Sequence, residues 1–412
     1  MTSDPSHMDV LEQPVLRERA GRVVGICRGR EPGPTLVCFG GIHGNEPAGV
    51  KALERVFGEL SGKQGLRAGT LIGIRGNLGA LVREQRYLDR DLNRMWTEAQ
   101  IDAIASREEA ARGSEEQELA EIYQLLNHIR ESSSTPFYFV DLHTTSSPTL
   151  PFVTMNDAVI NRKFARLFPV PVILGIEEFL EGPLLSFINR WGYVSIGFES
   201  GQHSDIRSVD RATDFVRMAL VYAGLLPAGE DPEFEERRVR LREAAQGDHR
   251  FYEVLYRHAL QLPERFRMIP GLRSFQAMPR GALLAHDDGV PIYMKKRGIL
   301  FMPLYQRQGE EGFFLIRRIP VWALRFSAWL RKFRFQDVLA WLPGIRWEHP
   351  GSDKLLVNLR IARFLSRPIF HLLGYRVYLR DRTHLALTNR ERAARNSEYE
   401  DTFWFRQKEG KP

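Results

Sequence analysis

Cysteine is nearly missing from this chain: 412 residues carry two, Cys27 and Cys38. One pair cannot staple a chain of this length, and the spacing is not that of metal ligands. Two reduced structural thiols in a cytoplasmic protein are therefore expected. No apolar run is long enough to span a bilayer. The stretch from Met1 to Glu12 is polar and lacks the apolar centre of a secretory leader. Internal repeats and long low-complexity tracts are also lacking, which argues against a repeat array. The body has no charge excess of either sign. The net charge is +7, but residues 321–412 hold 18 Lys and Arg against 9 Asp and Glu, a net of +9. The preceding 320 residues sum to −2, so any account of the basic character concerns the C-terminal segment alone.

What is present reads as strands alternating with helices. Residues 13–30 predict a first strand or hairpin containing Val23, Val24 and Ile26. Thr35-Leu36-Val37-Cys38-Phe39 is a short apolar run stopped by Gly40-Gly41, the pattern of a buried strand entering a turn. Pro47 stands where a first helical residue would, and Val50, Leu53, Phe57 and Leu60 follow at helical spacing. Residues 70–74 predict another strand. Residues 98–118 are charged and read as helical or mobile. Leu119, Ile122, Tyr123, Leu126 and Ile129 mark an amphipathic helix broken at Ser132-Ser133-Ser134. Phe137 to Val140 and Tyr193 to Phe198 are buried strands ending at Asp141-Leu142-His143 and at Glu199. The fold class expected is α/β, a mixed central sheet flanked by helices. Residues 13–230 are expected to form its α/β body. Residues 231–320 read as a smaller β-rich domain, and 321–412 as a helical, basic and aromatic extension.

In such sheets functional side chains collect at the carboxyl ends of strands. His43 and Glu46 sit two residues apart in the loop Gly40-Gly41-Ile42-His43-Gly44-Asn45-Glu46. Imidazole and carboxylate both suit zinc, and a catalytic zinc takes three protein ligands and leaves one position open. His143, at a strand end, is the natural third ligand. Asp141, two residues earlier on the same strand, can face the same way and orient an imidazole. Zinc activates water and polarises a carbonyl, and a carboxylate nearby then moves the proton. Glu199, in Gly197-Phe198-Glu199-Ser200-Gly201, is placed for that task. In a chain with 11 histidines an isolated His-x-x-Glu carries little by itself. Arg86, Asn93 and Arg94 put two guanidiniums and an amide within nine residues. They either grip a carboxylate and the oxyanion of an intermediate, or form a solvated loop paired with Asp89 and Asp91.

Four motifs occur in order: Gly40 to Glu46, then Arg86-Tyr87-Leu88-Asp89-Arg90-Asp91-Leu92-Asn93-Arg94, then Asp141-Leu142-His143, then Gly197-Phe198-Glu199. Together they resemble the succinylglutamate desuccinylase/aspartoacylase family, a branch of the zinc carboxypeptidase-like enzymes. The resemblance covers roughly residues 15–320. It implies one zinc ion held by His43, Glu46 and His143, Glu199 as general base and acid, and Arg86, Asn93 and Arg94 as substrate-gripping groups. The activity it implies is hydrolysis of an amide, or an ester, on a small acylated amino-acid-like substrate carrying a carboxylate. The alternatives are a carboxypeptidase or peptide deacylase with the same metal chemistry, and a non-catalytic binding protein that keeps the fold. The sequence departs from the pattern in two places. Asn189-Arg190 stands near the position of a further family arginine, in uncertain register. Where some relatives bring a tyrosine from the β domain, this chain has Gly312-Phe313-Phe314, with Tyr305 nearest. His203, four residues past Glu199, faces either the pocket or the surface.

Residues 321–412 lie outside this resemblance and hold five of the seven tryptophans. Arg325, Arg331, Lys332 and Arg334 interleave with Trp322, Phe326, Trp329, Phe333 and Phe335. Leu355, Leu359, Ala362, Arg363 and Leu365 predict a further helix towards Pro368. Packing on the body, or on a second subunit in a homo-oligomer, carries the most weight. Contact with an anionic membrane comes next. Nucleic acid, for which no motif is present, comes last.

Overall fold

The computed structural model describes residues 21–62, 65–332, 339, 341–349, 354–362, 370, 373–379 and 383–406. Alternation along the strands divides the core into two layers. Leu36 and Cys38 of β2 (Glu31–Gly40) and Tyr138, Val140 and Leu142 of β4 (Phe137–Thr145) point to one face. There they meet Leu53, Val56 and Leu60 of helix α1 (Ala48–Gly62). Val37 and Phe39 of β2, with Phe137 and Phe139 of β4, point to the other face. That side is covered by Leu119, Ile122, Leu126 and Ile129 of α2 (Ser114–Ser132), the amphipathic stripe visible in the sequence. The result is a sheet buried on both faces, which is why its central strands read as continuous apolar runs.

The parallel centre of this sheet runs β3 (Ala68–Arg75), β2, β4 and β7 (Val194–Gln202). The strand β1 (Val23–Arg28) lies antiparallel on β3 rather than in a hairpin with β2; residues 13–20 of that expected element fall outside the described residues. Beyond β7 the sheet continues through β5 (Phe152–Met155), β6 (Val172–Leu174) and β8 (Phe251–Ala259). The segment read as β-rich does not make only a sheet of its own. Of its strands, β14 (Glu311–Arg318), β13 (Gly298–Phe301) and β10 (Gln276–Met278) extend the main sheet from β8, giving eleven strands in all. A separate three-stranded sheet is built from β9 (Phe266–Met268), β11 (Leu283–Asp287) and β12 (Val290–Tyr293).

The C-terminal region corrects the helical expectation. Helix α3 (Val321–Lys332) is followed by a four-stranded antiparallel sheet. Its strands are β15 (Ile345–Trp347), β16 (Lys354–Asn358), β17 (Tyr375–Leu379) and β18 (His384–Asn389). Leu355 and Val357 alternate on β16 and are buried with Ile345, Leu385 and Leu387. The apolar spacing that suggested a helix from Leu355 spans this strand and the turn after it. Arg363 and Leu365 lie outside the described residues. Among the described residues no helix is long and apolar enough to cross a membrane.

This region is fastened to the body at the sheet itself. The Tyr399 hydroxyl donates to the carbonyl of Phe137 and accepts from the amide of Val194, bridging the starts of β4 and β7. Tyr399 and Trp404 are buried against Tyr138 and Phe164. Tyr399→Phe removes one hydroxyl from two buried backbone groups, and a loss of about 1–3 kcal/mol is expected. Urea unfolding of the two proteins checks it; equal midpoints would show the bridge to be inert.

Candidate active site

Parallel pairing explains how distant residues meet. His143 lies opposite Glu199 in the register of β4 on β7. The two-residue period places Asp141, His143 and Glu199 on the same side of the sheet as Phe139. The loop after β2 brings His43 and Glu46 beside them. That loop needs its glycines: Gly41 has φ +73°, and a Cβ on Gly44 would lie 2.1 Å from the backbone of Ala80.

Glu46 is the hub. His43 Nδ1 stands 2.9 Å from its Oε1, and His143 Nδ1 stands 3.0 Å from its Oε2. The amide of Thr144 also donates to Oε2, at 2.9 Å. One ligand atom from each of His43, Glu46 and His143 falls within 4.8 Å of the others. Two imidazoles and a carboxylate so close together are a donor set that suits zinc. The outer ring nitrogens are held too. His143 Nε2 faces Asp141 Oδ2 at 2.8 Å, and His43 Nε2 faces Asp91 Oδ1 at 3.1 Å. Each ring thus has a carboxylate on both nitrogens; a hydrogen kept on Nε2 would leave the Nδ1 lone pair for an ion, whereas without an ion Nδ1 can donate to Glu46.

The charges are strongly coupled. Burial opposes ionisation of Glu46, but His43 and His143 outweigh it and hold the carboxyl well below its usual range. Burial likewise opposes a charged His143 ring, yet Asp141 and Glu46 hold its pKa well above the ordinary value. Glu199 behaves in the opposite way. Burial pushes it up to about 8, Glu46 and Asp141 add to the rise, and His143 and Arg86 oppose it. Its Oε2 is buried without a hydrogen-bond partner. A carboxyl left unpartnered and pushed towards neutral pH, beside two paired carboxylates, is the group most ready to exchange a proton.

The expected ligands, general base and substrate-gripping residues line one cavity of about 130 Å³: His43, Glu46, Arg86, Asn93, Arg94, His143 and Glu199. That volume is comparable with a cavity that takes a benzene-sized group. Arg86 is not a free clamp. Its Nε and terminal nitrogen hold Asp91 Oδ2 at 3.1 and 3.0 Å, so the pairing with Asp91 and the place in the cavity wall coexist. Asp89 instead accepts from the amide of Ser114 at the start of α2. Arg94 pairs with Glu311 at 3.0 Å, while its Nε is buried with no partner. Asn93 Oδ1 accepts from the amide of Leu184 at 2.9 Å.

Of the other positions raised by the sequence, His203 lines the cavity, between Thr144 Oγ1 at 2.7 Å and Gln306 Oε1 at 3.0 Å. Burial lowers its pKa, favouring the neutral ring. Arg190 turns away to pair with Glu98. The Tyr305 hydroxyl is spent on the backbone of Ile269 and Leu272. Sequence reasoning missed the supporting role of Asp91 towards His43. It also missed Glu311, Gln306 and Glu177 in the cavity wall. Asp91 lay within a motif already noted, but nothing local to Glu311, Gln306 or Glu177 signals a site.

Residues 32–202 match the family model described as the succinylglutamate desuccinylase/aspartoacylase catalytic domain. Over these residues the chain is similar to that family. The match is shorter than the resemblance over 15–320 and stops at the end of β7. The succinylglutamate desuccinylase of Pseudomonas aeruginosa is 30% identical over 115 residues, 28% of this chain and 32% of that protein. The succinylglutamate desuccinylase of Pseudoalteromonas atlantica is 36% identical over 118 residues, again 28% and 32% of the two lengths. The chain thus spans about a third of the curated relatives it matches. The crystal structure of a succinylglutamate desuccinylase/aspartoacylase from Rhodobacter sphaeroides covers 72% of this chain and 88% of its own, with a TM-score of 0.51 and 18% identity. That likeness is one of fold. The motifs carrying His43, Glu46, His143 and Glu199 all fall inside the family domain, whereas Glu311 and Gln306 come from beyond it.

Proposed function

We propose that this chain is a zinc-dependent hydrolase that cleaves the amide, or ester, bond of a small N-acyl amino-acid-like substrate. The observation that carries the reading is the convergence of His43, Glu46 and His143 beside the unpartnered carboxyl of Glu199. Zinc bound by these three side chains supplies a Lewis acid and an acidified water. Glu199 takes the proton of the attacking water and delivers it to the leaving nitrogen or oxygen. Asp141 and Asp91 keep the two imidazoles in one tautomer and one orientation. Arg86, braced by Asp91, offers its remaining N–H groups to the oxygen that becomes negative as the carbonyl carbon turns tetrahedral. Arg94 keeps a buried, unpartnered Nε–H after satisfying Glu311. An unsatisfied buried donor in a cavity wall is matched by a substrate acceptor, and a carboxylate is the best one. Relatives named as succinylglutamate desuccinylases support a substrate of the acylated amino-acid class.

Metal analysis of the purified protein, combined with a panel of N-acyl amino acids, acyl esters and short peptides, tests the reading. One equivalent of zinc and turnover confined to the small acyl substrates is the expected result. A protein that retains no metal, or that holds zinc and releases nothing from any N-acyl compound, would overturn it. Preference for peptides would move the assignment to a carboxypeptidase or peptide deacylase.

A further inference from the structure

One wall of the cavity is made by a short turn closed by two backbone hydrogen bonds of its own, from Glu178 to Gly175 and from Phe179 to Ile176. Ile176, Glu177 and Leu180 line the site, with Asn156 and Met155 next to them. Ile176–Glu178 is a single 3-10 turn whose entry, Gly175, has φ +79° and no side-chain cap. Several of its polar contacts come from residues more than 190 positions later, alongside one from Arg257, which donates to the carbonyl of Phe179. Arg390 pairs with Glu177 at 3.0 Å and with Glu178. Arg376 donates to the carbonyls of Glu177 and Leu180. Arg390 is itself fixed by donating to the carbonyl of Tyr375, at 3.0 Å. The neighbouring strand end is held in the same way. Arg331 donates to the carbonyl and carboxylate of Asp157, at 2.7 and 2.8 Å, and to Glu391 at 2.7 Å. Both Arg331 and Arg390 are buried. Arg331, Arg376 and Arg390 all lie beyond residue 320, outside the matched catalytic domain.

We propose that the C-terminal segment sets the size of substrate the site accepts, with Arg376 and Arg390 as positioning residues that hold the 176–180 turn as a fixed cavity wall. The inference rests on the hydrolase reading for its substrate, though not for its geometry. A guanidinium is suited to the task because one planar group can serve several carboxylate and carbonyl oxygens at once. Loosening the wall leaves His43, Glu46, His143 and Glu199 untouched, since these stand on β4, β7 and the loop after β2. The expected signature is therefore weaker binding with the chemical step retained.

The test uses the full chain and the variant Arg390→Met, with Glu178→Gln as a milder second variant should the first fail to fold. Two readouts are taken. Amide exchange over residues 175–182 should quicken in the variant, while β4 and β7 keep their protection. On the N-acyl substrate turned over by the unaltered protein, KM should rise between about 10- and 100-fold, with kcat little changed and zinc retained. Preference should shift towards longer acyl chains. Unchanged exchange in this turn overturns the proposal whatever the kinetics. Faster exchange with unchanged KM and acyl-length preference overturns it too, because the wall would then move without affecting the substrate. If the unaltered protein turns over no N-acyl compound, the hydrolase reading has failed, and the exchange result alone decides the wall.

Discussion

Glu199→Gln should lower kcat by about 10²- to 10⁴-fold, the usual worth of a positioned general base, while the protein keeps its zinc and its fold. The substitution conserves shape and removes only the ability to accept a proton. Metal retention is expected because Glu199 is not among the three clustered ligand atoms. The amide is also accommodated, since Glu199 Oε2 has no hydrogen-bond partner to lose. Steady-state kinetics with metal analysis on the same preparation is the measurement. An unchanged rate would remove Glu199 from the mechanism, and loss of metal would make it a ligand instead.

Asp157→Ala should cost about 3–5 kcal/mol of stability, the range for removing one partner of a buried ion pair. Asp157 is buried among three cations: Arg162 and Arg331, each 2.8 Å from its Oδ2, and Arg390 at 3.6 Å. Without the carboxylate, Glu391, Glu177 and Glu178 remain as counter-charges, but the centre of the network is gone. Burial opposes ionisation of Asp157, yet Arg162, Arg331 and Arg390 hold its pKa far below the usual carboxylate range. The sign of the linkage follows. The contribution is complete above the unfolded-state value of about 3.9 and is lost only as pH falls through the lower folded value. Urea unfolding at pH 7 and at pH 5 should therefore give the same difference between the two proteins. Equal midpoints for the variant and the parent at pH 7 would rule out a stabilising role.

What could be read beforehand, and what could not, divides along sequence distance. His43, Glu46, His143 and Glu199 stood out because each lies in a short motif at or beside a strand end, where a parallel sheet gathers its chemistry. The α2 stripe from Leu119 to Ile129 stood out because helical periodicity is local. The partners that complete the site are not local. The pairs Arg94–Glu311 and Arg390–Glu177 join residues 217 and 213 positions apart, and no spacing rule reaches that far. Strand pairing was hidden for the same reason. Residues 231–320 were recognisable as β-rich, but not the union of their strands with the main sheet through β8. The misread helix at Leu355 shows the opposite failure. A strand of five residues followed by a turn mimics helical spacing when its alternation is too brief to be distinctive.

The Tyr399 bridge between β4 and β7 bears on the order in which the protein can be made. A growing chain emerges from its N-terminal side, so β4 and β7 exist long before their clasp does; Phe137 and Tyr399 are 262 positions apart. Closing so long a loop is entropically slow. During that interval two apolar strands have unfinished ends and an uncovered neighbour in Tyr138. The nascent sheet would then be most exposed to mispairing late in synthesis, and a chaperone that shields it until the last segment docks would have the greatest effect on yield.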